Sequence, residues 1–188
     1  MRKQLGMTLA EMIIAIVLMG IAMVAFTSFL VPQIRDSAMP HYQTRATALG
    51  QSFMSQILAR GFDENSDFDG GLLRCGENST SCTLPANLGP DSGESIPENF
   101  DDVDDYIGCW STPTTVAQCQ ETSRGNISDI LGSSSEDKYR NFRVEVSVAY
   151  DGLTATPPTG VTNYKKVTIT IFASNAQPLT LTAIRGNY

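Results

Sequence analysis

The sequence predicts an α+β protein: one long N-terminal α-helix packed on a C-terminal antiparallel β-sheet, with a long disulfide-braced loop region between them. Three observations predict it. Residues 7–31 form an apolar run whose only charged residue is Glu11. Beyond Pro32 the pattern becomes one-sided: Ala38, Tyr42, Ala46, Leu49, Phe53 and Ile57 recur at steps of three or four, the spacing of one face of an amphipathic helix. From residue 142 onward, apolar and polar residues alternate in three short runs, as half-buried strands do.

The apolar run comes first. As a helix it would extend roughly 37 Å at 1.5 Å per residue, enough to cross a bilayer. The basic pair Arg2-Lys3 ahead of it keeps the extreme N-terminus on the cytoplasmic side. A secretory signal carries small residues after its apolar core. Here the small residue, Gly6, lies before that core, so a cut there leaves the helix on the mature chain. Glu11 is a lone charge in an apolar segment, which costs on the order of 2.5 kcal/mol or more and demands a partner. Nothing else in the helix offers one. Another copy of the helix, or a new amine at Met7, would.

Gly6-Met7-Thr8-Leu9-Ala10-Glu11, with its basic leader and apolar continuation, resembles the class III signal of type IV pilins and pseudopilins. The resemblance implies a type IV pilin-like fold. It implies that a prepilin peptidase cuts after Gly6 and methylates the new amine of Met7, and that Glu11 neutralises a neighbour's N-terminus during filament assembly. Met7 stands where the family has Phe, and Ala10 is smaller than the usual residue; both departures occur in minor subunits. The implied partners are major and minor pilins through the N-terminal helix, the prepilin peptidase and the inner-membrane assembly platform. The implied location is a single-pass inner-membrane protein that passes into an extracellular pilus, its soluble domain periplasmic or extracellular.

The 188 residues allow one helix-anchored domain, read as a leader over 1–6, a membrane or filament-core helix over 7–31, an amphipathic half over 32–60, an acidic loop region over 61–141 and a sheet over 142–188. The net charge is −7, from 13 basic and 20 acidic residues. Loss of Arg2 and Lys3 leaves 11 basic residues and a charge of −9. An acidic chain without basic clusters argues against nucleic acid as a partner. Cys75, Cys82, Cys109 and Cys119 all lie beyond the apolar run, on the exported side where disulfides persist. Their spacing matches no zinc or C-x-x-C redox pattern. Two local bridges, Cys75–Cys82 and Cys109–Cys119, are expected, with the two other pairings open.

Pro32 and Pro40 are expected to bend or locally break the helix, and Gly61 to stop it. Gln33, Arg35, Gln43, Arg45, Gln51 and Arg60 lie largely off the apolar face. His41, the only histidine, reads as a solvated helix position. From Phe62 to about Asn141, Gly, Pro, Ser, Asp and Asn dominate, as in loops. Leu72-Leu73, Val103, Tyr106-Ile107 and Trp110 are candidates to pin this region to a core, and residues 126–131 suit a short helix or turn. Two acidic clusters stand out. Asp63, Asn65, Asp67 and Asp69 place oxygens at alternate positions, as a calcium loop does. The sixth-position Gly is missing, however, and Arg74 occupies the place of the bidentate Glu. Asp101, Asp102, Asp104 and Asp105 form the second. These eight residues are candidate calcium ligands; the favoured reading is solvated caps and turns, with no cofactor. The segments 62–67, 74–76 and 100–106 extend the resemblance to the D-type minor pilins of the mannose-sensitive haemagglutinin pilus.

Phe142 to Tyr150 reads as a half-buried strand, Val167 to Phe172 as a second and Leu179 to Ala183 as a third. The natural assembly is an antiparallel meander resting on the stripe from Tyr42 to Ile57. No enzyme reading emerges: a nucleophile–His–acid site would need His41, and P-loop, dinucleotide and zinc motifs are missing from the sequence. The expected function is that of a minor pilin contributing to pilus assembly and surface adhesion. The alternatives are a minor pseudopilin of a type II secretion system and a tip-located adhesin or calcium-stabilised binding module. One outcome follows directly from the signal. Mass analysis of the mature protein should show loss of residues 1–6 and a methylated Met7; filaments in which those residues remain attached would refute the cut.

Overall fold

The computed structural model describes residues 8–66, 73–132, 135 and 137–188, without the side chains of 34–39. The chain divides into two compact units, residues 1–41 and 42–188. One helix, α1 (Leu9–Leu58), contributes to both and is assigned as helix through Pro32 and Pro40. Of the expected bend or local break, the break does not occur. A proline inside a helix removes one backbone donor but need not end it when the flanking turns persist. The helix stops at Leu58, three residues before Gly61, whose backbone instead pairs in parallel with Asp102.

In the first unit, Leu9–Gln33 is the one stretch among the described residues long and apolar enough to cross a membrane, and none of it is covered by the rest of the chain. His41 at its end is exposed.

The second unit is a mixed five-stranded sheet covered on one face by residues 42–58 of α1. Its strands are β1 (Gly108–Ser111), β2 (Ser123–Asn126), β3 (Phe142–Tyr150), β4 (Tyr164–Ala173) and β5 (Leu179–Gly186), in the order β2-β1-β3-β4-β5. The three expected strands form the antiparallel meander: Val146 faces Ile169, and Ile169 faces Leu181. The other two lie within the stretch read as loop. β1 pairs antiparallel to β3, with Trp110 opposite Val144, and β2 adds in parallel at the edge. Four-residue strands containing Gly, Cys and Ser carry too little alternation to be read from sequence. A short helix, α2 (Ile127–Leu131), follows β2, with the amide of Asn126 donating to Asp129 Oδ2 at 2.7 Å.

From Tyr42, which is half-buried, the stripe behaves as the spacing predicts; the side chain of Ala38 lies outside the described residues. Ala46, Leu49, Phe53 and Ile57 are buried against Val144, Val146, Val167, Ile169 and Ile171. Gly50 lies on the same face, where an added Cβ would stand 2.6 Å from Leu181 Cδ1 and 2.8 Å from Ile171 Cδ1. The missing side chain lets helix and sheet approach closely. Phe53 packs edge-on to Trp110, with ring centroids 6.1 Å apart, and Phe100 and Tyr106 complete the aromatic cluster. Trp110 Nε1 donates to the Tyr106 carbonyl at 2.9 Å, so its one polar group is satisfied inside the core. Val103, Tyr106 and Trp110 thus pin the loop region as expected, whereas Leu73 is half-exposed and Leu72 lies outside the described residues.

Both expected disulfides are present, Cys75–Cys82 and Cys109–Cys119, with Cα separations of 4.7 and 5.7 Å. The first joins Phe62 and Tyr150 in a small satellite core. The second ties the start of β1 to the turn that leads toward β2.

Phe53→Ala should lower the unfolding free energy by about 3–5 kcal/mol, the cost of a buried aromatic cavity. Gln51→Ala, on the exposed face of the same helix, should change it by less than about 0.5 kcal/mol. Denaturant unfolding followed by the fluorescence of Trp110 tests both.

Candidate functional site

Two places concentrate polar chemistry: the start of α1 and the two acidic segments of the loop region. Gly6 and Met7 lie outside the described residues, which begin at Thr8. Thr8 and Glu11 form a reciprocal cap. Glu11 Oε2 accepts from the Thr8 amide at 3.1 Å and from the Thr8 hydroxyl at 3.2 Å, and Thr8 Oγ1 accepts from the Glu11 amide at 3.3 Å. This is the Thr-x-x-Glu capping box, which satisfies orphan donors at a helix start and places a carboxylate at the positive end of the helix dipole. The expectation that Glu11 has no partner within its own helix is therefore corrected. The signal that could have found this partner is the three-residue spacing of Thr8 and Glu11.

The second place is buried. Residues 165, 167, 169, 171 and 173 all face the core from β4, and the first of them is Lys165, fully buried and opposite Tyr150 in the register. An ammonium there needs counter-charge inside the protein. Both acidic clusters supply it. The bridge between Gly61 and Asp102, with the Gly61 amide donating to the Asp101 carbonyl at 2.7 Å, sets the two segments side by side. Lys165 Nζ then lies 2.5 Å from Asp104 Oδ1, 3.2 Å from Asp63 Oδ2 and 3.9 Å from Asp102 Oδ2. The rings of Phe62 and Tyr150 flank it, with centroids at 4.9 and 5.5 Å.

The carboxylates are held by backbone amides as well. Asp63 accepts from Asn65 and Thr83, Asp102 from Glu64 and Asp104, and Asp104 Oδ2 from Gly89. These contacts sort their ionisation. Burial raises the Asp63 carboxyl, but Lys165 and the two amides together hold it below its ordinary value of 3.8. Burial, reinforced by the neighbouring Asp104 charge, pushes Asp102 up to about 9 against the pull of Lys165. Burial, with the nearby Asp63 and Asp104 charges, also raises the Tyr150 phenol, whose hydroxyl donates to the Thr83 carbonyl at 2.6 Å.

Asp101 and Asp105 belong to a separate, outer group. Asp105 Oδ2 accepts from the amides of Asp101 and Asp102 at 2.9 and 3.0 Å. Glu64 and Glu94 bring their carboxylates within 4.8 Å of that of Asp101. Burial, then the charges of Glu64, Glu94 and Asp91, pushes Asp101 up to about 7. Burial, opposed by the two amides and reinforced by Glu94, does the same to Asp105. Arg124 offsets part of this charge: its Nε donates to the Asp105 carbonyl at 3.0 Å and its guanidinium lies 4.6 Å from the Phe100 ring centroid.

Asp63, Asp102, Asp104 and Asp105 are thus buried, not solvated caps, because Lys165 and a row of backbone amides draw them inward. Asn65 Nδ2 turns to Asp63 Oδ1 at 3.3 Å, and Asp67 and Asp69 lie outside the described residues. A calcium ion among Asp63, Asp102 and Asp104 would have to displace the Lys165 ammonium. Sequence reasoning missed Lys165, yet extending the β4 alternation back by two residues reaches it. Nothing local marks Glu94 as a neighbour of Asp101.

Asp101 and Asp105 bind protons more tightly in the folded chain than in the unfolded one. The stability this brings is complete below the ordinary value of 3.8 and is lost as pH rises through about 7. The melting temperature should therefore fall between about pH 4 and about pH 7, and Asp101→Asn should make that fall shallower. Thermal unfolding across this range measures it; a melting temperature that rises with pH would contradict the assignment.

The model of the prokaryotic N-terminal methylation motif matches residues 1–27. No curated protein and no solved structure matches the chain. With the long apolar helix, the antiparallel-rich sheet and the two disulfides, the matched motif gives the chain a type IV pilin-like α+β architecture and supports placing it among the type IV pilins and pseudopilins.

Proposed function

We propose that this chain is a minor pilin of a type IV pilus of the mannose-sensitive haemagglutinin kind, contributing to pilus assembly and surface adhesion. The observation that carries the reading is the joining of Glu11, fixed in the first turn of α1, to an apolar span with no cover of its own from Leu9 to Gln33. Before assembly the bilayer covers that span, and in a filament neighbouring helices do. Transfer from lipid to protein gains little hydrophobic energy, so helix packing alone sets no axial register. A charge pair does. Cleavage after Gly6 frees an amine at Met7, and the Glu11 carboxylate of an adjacent subunit neutralises it in the low-dielectric shaft. Thr8 keeps Glu11 Oε2 turned toward the helix start, where that amine arrives. The segments at 62–67, 74–76 and 100–106 support the subtype.

The capping box separates two roles for Glu11. Gln at this position can still complete a capping box but carries no charge. If Glu11 served only to start the helix, Glu11→Gln would behave as wild type and Glu11→Ala would not. If the charge sets the register, both variants should reach the membrane normally and be depleted roughly tenfold or more from sheared filaments, a pairing energy of about 1.4 kcal/mol. Immunoblots of sheared pili and membranes from matched strains read this out. Gln variants incorporated at the wild-type ratio would refute the charge pairing. Deletion of the gene should reduce surface pili and adhesion while leaving type II secretion intact.

A further inference from the structure

We propose that Lys165 and Asp104 condense to an intramolecular amide, so that the loop region is joined covalently to the sheet. The arrangement has the parts such a reaction needs. The amine and the carboxylate are both buried, and Nζ lies 2.5 Å from Oδ1, the shortest of its three carboxylate contacts. The Phe62 and Tyr150 rings and the Cys75–Cys82 disulfide wall the site. In so dry a place an ion pair forfeits much of its hydration without recovering it fully. Transfer of one proton from Nζ to Asp104 yields a neutral amine beside a neutral carboxylic acid.

Three features choose Asp104 as the acceptor. Asp63, at 3.2 Å, is held as a carboxylate by two amides and Lys165 and is a poor electrophile. Asp102 is farther, at 3.9 Å, and its Oδ1 accepts the Asp104 amide at 2.7 Å. The Gly89 amide donates to Asp104 Oδ2 at 3.1 Å, where it can stabilise negative charge building on that oxygen.

The bonds balance without an outside reagent. The Nζ lone pair attacks Cγ of Asp104, and Oδ2 takes up charge under the Gly89 amide. Asp102, a buried carboxyl beside both reactants, passes a proton from nitrogen to the departing oxygen. The Cγ–Oδ1 bond breaks and one water leaves. The net change is one ammonium and one carboxylate converted to one amide and one water. The new bond closes a loop across 61 residues of sequence. It removes one charge pair from the interior and takes the ammonium away from Asp63, which keeps the amides of Asn65 and Thr83, as Asp102 keeps those of Glu64 and Asp104. The chain does this once and turns nothing over.

The test uses the full processed chain extracted from membranes or filaments, denatured and digested with its disulfides intact. The expected result is a branched peptide joining the Lys165 and Asp104 segments, one water lighter than their sum. Recovery of the two segments as separate linear peptides from protein with both disulfides formed would overturn the proposal. A water deficit that maps to Asp151-Gly152, as an aspartyl imide, would also overturn it. In newly synthesised Asp102→Asn protein with both disulfides formed, the amide should appear about a hundredfold more slowly, the usual contribution of a positioned proton carrier. Formation at the wild-type rate would overturn the role given to Asp102.

Discussion

A lysine on the core-facing side of a central strand has to be neutralised from within, and the loop region is built around that requirement. Lys165 sits in line with Val167, Ile169 and Ile171 and is as deeply buried as they are. Its charge draws in Asp63 from one end of the loop region and Asp102 and Asp104 from the middle. Each carboxylate is in turn tied to backbone amides, so side-chain charge and main-chain path are set together. Breaking such a cluster at one member leaves an uncompensated charge in an apolar surround, which is far more costly than never having built it.

Around this centre the loop region is held by several weaker devices. Cys75–Cys82 presses Phe62 and Tyr150 into a second small core, and Asn187 Nδ2 donates to the Cys75 carbonyl at 2.9 Å, tying down the end of the chain. Cys109–Cys119 closes the turn between β1 and β2. Arg60, at the end of α1, donates to the Tyr106 hydroxyl at 3.2 Å and to the Pro97 carbonyl at 3.1 Å. Long stretches without regular structure normally lack the contacts to be ordered; here charge, sulfur and aromatic packing supply them.

The first unit follows a different logic. Its apolar side chains have no partners in their own chain, so their energy is realised only in a membrane or among other helices. Among its described residues the one acidic side chain of the apolar span, Glu11, is held by the Thr8 cap at the start of the helix, while Thr27 and Ser28 turn their hydroxyls back onto helix carbonyls. A carboxylate already oriented by its own helix loses less freedom on pairing with a cation.

Local pattern by itself determined much of this protein. The apolar run, the stripe from Ala46 to Ile57, and strands β3, β4 and β5 were all legible, because each obeys a helical or strand period along one continuous segment. The two local disulfides could be anticipated from cysteine spacing, though not to the exclusion of other pairings. Tertiary structure decided the rest. β1 and β2 are too short to show a period and exist because the edge of β3 was free to pair. The acidic clusters looked like solvated surface when read alone. Asp63, Asp102 and Asp104 became the buried counter-charge of Lys165 only when Gly61 paired with Asp102, a contact across 41 residues of sequence that no local pattern encodes.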